Sequence, residues 1–116
     1  MFDIGPAMRV VIHLNADVSS SHEFLHSEIL DFLYERQVAG VTVIRPEAGF
    51  GYHHRLHTRG AAGSEGRHLP IRLEFIDQRE VVDRLMPELL RLVTDGMVEA
   101  QETTILKVAH STREGR

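Results

Sequence analysis

The sequence has 116 residues, of which 42% are hydrophobic and 26% charged, with a formal net charge of −4. This length and composition are typical of one globular domain with a single hydrophobic core. The acidic balance argues against broad electrostatic binding to nucleic acid or anionic lipid. Because the chain has no cysteine, disulfides, thiolate zinc sites and cysteine nucleophiles are excluded.

The N-terminal segment MFDIGPAMRVVIHL carries no basic region before its apolar run and no small-residue cleavage site after it. These features argue against a secretory signal. The apolar runs of the sequence are also shorter than the roughly 20 residues of a membrane span. We therefore expect a cytoplasmic protein that is not itself inserted in a membrane.

The first predicted elements are a strand and a helix. Residues 8–14, MRVVIHL, place apolar side chains at every second position, which is typical of a half-buried strand. Ser20 and Glu23 have the spacing of a capping box, and apolar residues then recur at helical spacing up to Gly40. The pattern predicts a helix over about residues 21–38.

Similar elements follow in the rest of the chain. Residues 41–45 form a predicted second strand that Pro46 ends or confines to a sheet edge, and residues 69–76, LPIRLEFI, form a third. Asp77 has a glutamate three positions later, the spacing of a capping box, and a second amphipathic helix follows it. The alternation over about residues 97–108 predicts a last strand.

The order β-α-β-β-α-β predicts an α+β fold, the ferredoxin-like sandwich, in which one antiparallel sheet carries both helices on a single face. The other sheet face would be uncovered and half apolar. We expect a second copy of the chain to cover it, the alternative being scattered surface apolar residues. The predicted interface residues are Val11, His13, Ile44, Arg72, Glu74 and Ile76.

The segment between the second and third strands is rich in glycine, histidine and arginine. His53, His54 and His57 are close enough in sequence to ligate zinc, nickel or copper if the metal orders the loop, the alternative being solvated histidines. The Gly49-Phe50-Gly51 run lacks the third glycine of a dinucleotide fingerprint and predicts a sharp backbone turn instead.

Four arginines surround this turn, at positions 45, 55, 59 and 67. They are suited to hold an anionic ligand or the carboxylates of a partner, with solvated loop arginines as the alternative. The sequence has no G-x-S-x-G elbow and no acidic pair recognisably placed for acid-base work. We therefore expect no enzymatic activity.

Five short motifs stand out over about residues 8–108. They are Gly40 with the strand after it, Gly49-Phe50-Gly51, Arg55-x-His57-Thr58, Leu69-Pro70 and Leu85-Met86-Pro87-Glu88-Leu89. In these motifs the chain resembles the PII-like proteins of domain-of-unknown-function family 190, which are relatives of the PII nitrogen regulators.

The resemblance implies one PII-like domain over residues 1–116 that assembles as a homotrimer. A long loop at about residues 50–68 would be the effector loop, ordered on binding a ligand or protein, and residues 109–116 would be a loose tail. Partners in this superfamily include membrane transporters, so the cytoplasmic face of a transporter is one candidate. Small trimeric ferredoxin-like proteins also serve in metal tolerance, which is the rival interpretation for the histidines.

In the PII regulators, nucleotide binds between subunits against the loop base and a lysine-containing, glycine-rich turn after the second helix. The matching stretch here is TDGMVEAQE, in which Gly96 agrees but Glu99 and Glu102 would oppose a triphosphate. ATP sensing is therefore not carried over from the resemblance, and binding of a different small anion or nucleotide at the loop base stays open. The ligand-binding residues that it implies are Arg45, Gly49, Gly51, Arg55, His57 and Thr58.

Overall fold

The computed structural model describes residues 3–14, 25–45, 48–49, 57–58 and 71–109. The strands and helices predicted from the sequence are present in these ranges, most with bounds close to those predicted. In chain order the elements are β1 (Gly5–Leu14), α1 (Leu25–Glu35), β2 (Thr42–Ile44), β3 (Ala48–Gly49), β4 (His57–Thr58), β5 (Ile71–Asp77), α2 (Arg79–Leu92) and β6 (Gly96–Ile105).

Four strands form one antiparallel sheet in the order β2-β5-β1-β6. β1 pairs with β6 along its whole length and with β5 from Met8 onward. Each helix joins two strands that have one other strand between them, α1 across β5 and α2 across β1. This is the ferredoxin-like arrangement, so the predicted α+β fold is confirmed. The short strands β3 and β4 form a separate two-stranded ribbon, which the sequence did not predict.

The hydrophobic core lies between the helices and one face of the sheet. Alternation along β1 and β5 places Val10, Ile12, Leu73 and Phe75 on that face, each at most 3% exposed. The helices present apolar stripes at helical spacing against these residues. The buried members of the stripes are Leu25, Ile29, Phe32 and Leu33 of α1, and Val82, Leu85 and Leu89 of α2.

Helix α1 ends earlier than its apolar pattern predicts. The N–H of Gln37 donates to the carbonyl oxygen of Tyr34 (3.0 Å), and the N–H of Val38 donates to that of Leu33 (3.3 Å). Gln37 has a φ of 63°, so its backbone is in the left-handed region. This pairing is a Schellman motif, which terminates a helix by satisfying its last carbonyl groups. The predicted extension of the helix to position 38 is therefore wrong.

Asp77, at the end of β5, is fully buried. Its carboxylate accepts hydrogen bonds from the backbone N–H of Gln78 at 2.7 Å and from that of Ala39 at 2.9 Å. Gln78 is the residue that caps α2, and its side chain makes no capping hydrogen bond. The capping role predicted for Asp77 is wrong, because its carboxylate instead ties β5 to the segment that follows α1.

Gly96 begins β6 directly opposite Leu14 of β1. Its φ is 143°, a conformation that side chains with a Cβ rarely adopt. A Cβ atom here would also overlap the backbone carbonyl oxygen of His13. Both observations require glycine at this position, which sets where the β1–β6 pairing starts.

Candidate functional site

The sheet face opposite the helices, called the open face below, carries its side chains in rows that cross the strands. The acidic row consists of Thr42, Glu74, Val11 and Glu99. The basic row beside it consists of Ile44, Arg72, His13 and Met97. On the other side of the acidic row, a second basic row consists of Ile76, Arg9 and Gln101. All six predicted interface residues lie in these rows, and their role in an interface remains a prediction.

Glu74 connects both basic rows. Nη2 of Arg9 donates to Oε1 of Glu74 at 2.7 Å, and Nε of Arg72 lies 3.0 Å from Oε2. The hydrogen bond from Arg9 lowers the pKa of Glu74 below its usual value, against the opposing effect of burial. The same hydrogen bond raises the pKa of Arg9. Glu74 is therefore an ionised carboxylate held between two guanidinium groups.

A second polar contact crosses from β1 to β6. Nε2 of His13 lies 2.7 Å from Oε2 of Glu99, with both side chains partly exposed. Val11 lies between this contact and Glu74, and it is only 8% exposed although neither of the described helices covers it. The surrounding charged side chains cover Val11 and form the walls of a shallow depression of about 150 Å³. Its lining residues are Arg9, Val11, His13, Arg72, Glu74, Glu99, Ala100 and Gln101.

The two-stranded ribbon joins the ends of the glycine- and histidine-rich stretch. Ala48 pairs with Thr58, and Gly49 pairs with His57. Three of the predicted ligand-binding residues therefore lie on the two facing strands of one ribbon. Their pairing brings residues from both ends of the stretch to one place at the base of the predicted loop.

Arg45 immediately follows β2, and its side chain reaches the first turn of α1. There Nη2 of Arg45 lies 3.5 Å from Nε2 of His26. Burial, and secondarily the positive charge of Arg45, lower the pKa of His26. The remaining predicted ligand-binding residues, Gly51 and Arg55, lie outside the described residues.

The glutamates of the TDGMVEAQE stretch point to opposite faces of β6, and each contacts a basic side chain. Glu99 lies on the open face with His13, whereas Oε2 of Glu102 lies 2.9 Å from Nη2 of Arg79 on the other side of the strand. The negative charge of Glu102 is thus balanced by a guanidinium group. This stretch presents no cluster of cations to a phosphate.

Within the ranges that the structure describes, no group of three or more histidine, aspartate or glutamate side chains is placed to hold a metal ion. The predicted metal ligands His53 and His54 lie outside those ranges, and only the backbone of His57 is described. The metal interpretation therefore remains a prediction. In the same described ranges, neither helix is long and apolar enough to cross a membrane.

The match to a family model covers nearly the whole described fold. Residues 7–105 match the family DUF190, described as Uncharacterized ACR. The chain belongs to this family. The resemblance inferred from the short motifs is thereby confirmed.

Two solved structures of PII-like proteins share the fold. One is CPII from Thiomonas intermedia K12, a nitrogen regulatory PII-like protein bound to ADP, AMP and bicarbonate; it is 17% identical, with a TM-score of 0.63, over 92% of this chain and 94% of that one. The other is described as a PII-like signalling protein, from Thermus thermophilus; it is 18% identical, with a TM-score of 0.63, over 90% of this chain and 94% of that one. At these identities the likeness establishes the fold.

Arg9 and Glu99 were not among the interface residues predicted from the sequence. Arg9 had a usable signal, because it lies two positions before Val11 and therefore on the same strand face. No sequence signal indicates Glu99, because its neighbours depend on the register between β1 and β6. That register begins at Gly96, whose backbone conformation only the folded chain displays.

Proposed function

We propose that this chain is a PII-like regulator without enzymatic activity, which assembles as a homotrimer through its open face and binds at its central loop. The binding partner is a small anionic ligand or nucleotide, a partner protein, or both. The observation that supports the proposal is the pairing of Gly49 with His57 and of Ala48 with Thr58, because it brings three of the predicted binding residues together. A similarly folded PII-like protein, CPII, is bound to ADP, AMP and bicarbonate.

The chemistry of the loop base fits an anion. The glycines at positions 49 and 51 allow a ligand to approach the backbone, and Arg55 supplies a guanidinium that binds carboxylates and phosphates in a bidentate manner. Arg45 lies next to His26, whose lowered pKa keeps the imidazole neutral at physiological pH. Because this imidazole is neutral, the positive charge on this side of the loop base comes from the arginines.

A protein partner would bind through loop residues 50–68, which combine several cations with little apolar surface to bury. In this proposal the protein acts in the cytoplasm, and the cytoplasmic face of a membrane transporter is a candidate partner. Its acidic groups would pair with the loop arginines in the same way as an anionic ligand.

Calorimetric titration with ADP, AMP and bicarbonate, combined with sedimentation, tests the proposal. We expect a trimer that binds at least one of these ligands, and we expect Arg55→Ala to weaken that binding about tenfold or more while the trimer persists. Arg91→Ala is the matched control, since it removes an exposed arginine from the last turn of α2. A monomeric wild-type chain, or equal ligand affinities for the wild type and Arg55→Ala, would contradict the proposal.

A further inference from the structure

A cleft lies between the end of α1 and the first two turns of α2, on the helix side of the sheet. Its volume is about 320 Å³, and its lining residues are Arg36, Gln37, Val81, Arg84 and Leu85. Ligand pockets have volumes of roughly 300 to 1,000 Å³, so this cleft suits a small ligand. It shares no residue with the depression on the open face or with the predicted ligand-binding residues of the loop base.

The apolar lining of the cleft comes from α2. Val81 and Leu85 are four residues apart in this helix, so their side chains are neighbours on one face. Leu85 is only 2% exposed and belongs to the hydrophobic core, and Val81 is partly buried against that core. The cleft therefore offers apolar surface to the body of a ligand.

The guanidinium group of Arg36 is held at the rim of the cleft by two contacts. It lies over the buried ring of Phe32, 4.6 Å from the ring centroid, and Nη2 donates to Oε1 of Glu88 on α2. These contacts restrict the side chain before any ligand binds, which reduces the entropy that binding costs. A guanidinium group has several N–H donors, so Arg36 keeps donors for a second carboxylate.

Arg84 adds a second positive charge to the rim. It is exposed and lies one helical turn before Glu88, the partner of Arg36. Among the described residues, no carboxylate forms an ion pair with Arg84. Glu80 and Asp83 are exposed on the same helix, but neither lines the cleft. Two guanidinium groups and the one carboxylate of Glu88 thus leave a net charge of about +1 at the rim, in a chain whose formal net charge is −4.

We propose that this cleft is a further ligand site, which binds a small monocarboxylate with an apolar body. The carboxylate accepts hydrogen bonds from Arg36 and Arg84, and the side-chain amide of Gln37 can donate another. The apolar body packs against Val81 and Leu85. One net positive charge matches a monocarboxylate better than a phosphate monoester, whose charge at neutral pH is about −1.5 to −2.

A two-dimensional NMR titration of the isotope-labelled full chain tests the proposal, with benzoate as the probe. We expect saturable shifts at the backbone amides of Gln37, Arg84 and Leu85, with a dissociation constant of about 1 mM or lower. Benzamide keeps the shape of the probe without its charge, and acetate keeps the charge without the apolar ring. Each should bind at least about tenfold more weakly than benzoate.

Substitutions in α2 test the lining residues. Arg84→Gln removes a charge from an exposed position and should weaken benzoate binding at least about tenfold, because a charge-assisted hydrogen bond is lost. Val81→Glu places a carboxylate in the cleft and should weaken binding by at least as much. Arg91→Gln is the matched control, since this exposed arginine lies in the last turn of α2 and does not line the cleft. It should bind benzoate like the wild type.

The outcomes are read at the cleft and do not depend on assembly or on a ligand at the loop base, so they are distinct from those of the proposed function. A wild-type chain with no saturable shift up to about 20 mM benzoate overturns the site. Shifts confined to β2 and the ribbon, away from the cleft, overturn it as well. Equal affinities for benzoate and benzamide, or for the wild type and Arg84→Gln, contradict recognition of a carboxylate by the arginines.

Discussion

Asp77 and Glu74 are carboxylates three residues apart in β5 with opposite surroundings. Asp77 faces the helices, is fully buried and binds backbone N–H groups. Glu74 faces the other way and binds two arginine side chains. The difference follows from the alternation of a strand, which sends residues an odd number apart to opposite faces. One carboxylate thus stabilises the chain's own backbone, and the other contributes to the charge pattern of the surface.

Replacement of Asp77 tests its structural role. We expect Asp77→Ala to lower the free energy of unfolding by about 3 kcal/mol, because buried N–H groups of Gln78 and Ala39 lose a charged acceptor. Asp77→Asn is the matched control, since it keeps one acceptor oxygen and should cost about half as much. Urea unfolding followed by circular dichroism measures both. A loss below about 1 kcal/mol for the alanine variant would show that water replaces the carboxylate.

The ends of the helices and strands are decided by backbone geometry more than by apolar pattern. Helix α1 stops at Glu35 because the backbone at Gln37 turns left-handed, three residues before the end predicted from the sequence. Strand β6 starts at Gly96 because a side chain there would overlap β1. In both cases one residue sets where an element begins or ends and, for β6, which residues of β1 it faces.

The end of α1 offers a test at this scale. A left-handed backbone is strained in a residue with a Cβ atom, so we expect Gln37→Gly to raise the free energy of unfolding by about 0.5 to 1 kcal/mol. Gln37→Ala keeps the strain and serves as the control, with little or no gain. Thermal and urea unfolding measure the change. A glycine variant that is less stable than the alanine variant would contradict the assignment of a Schellman motif.

Among the described residues, the two helices cover one face of the sheet and no element covers the other. The helices bury the first, while the second keeps Ile44 and Ile76 half-buried beside its ion-paired groups. Strand β2 forms one edge of the same sheet, and the ribbon of β3 and β4 follows it in the chain and flanks the predicted binding loop in sequence. In the proposed function, self-association and ligand binding thus use different residues. A substitution should therefore affect one of the two without affecting the other.

Substitutions on the uncovered face test that separation. We expect Ile44→Asp or Ile76→Asp to weaken the proposed self-association at least about a hundredfold, because each buries an unpaired charge at the interface. Leu90→Asp is the control, since Leu90 is an exposed apolar residue of α2, 54% accessible and away from this face. Sedimentation over a range of concentrations gives the midpoint of association for each variant. If the two isoleucine variants assemble like the wild type, the open face is not the interface.

The sequence by itself determined the two helices, the four strands of the main sheet, the fold class and the family of this protein. Alternation in β1 and β5 and the helical spacing of leucines in α1 and α2 identify which side chains enter the core, since burial of apolar area is the main driving force of folding. The order of these elements then permits few arrangements, of which the ferredoxin-like sandwich is one. The short motifs, Gly49-Phe50-Gly51 among them, were specific enough to identify the family.

Only the tertiary structure decided which distant residues meet. The partners of Glu74 and Glu99 depend on strand register, and a shift of one residue would send every side chain of a strand to the other face. The strands of the ribbon have two residues each, which is too short to show the alternation of side chains by which a strand is predicted from sequence. Asp77 has the spacing of a helix cap but bonds to a segment 38 residues away. Such contacts are formed by the folding of the whole chain, which a local pattern of residue types does not encode.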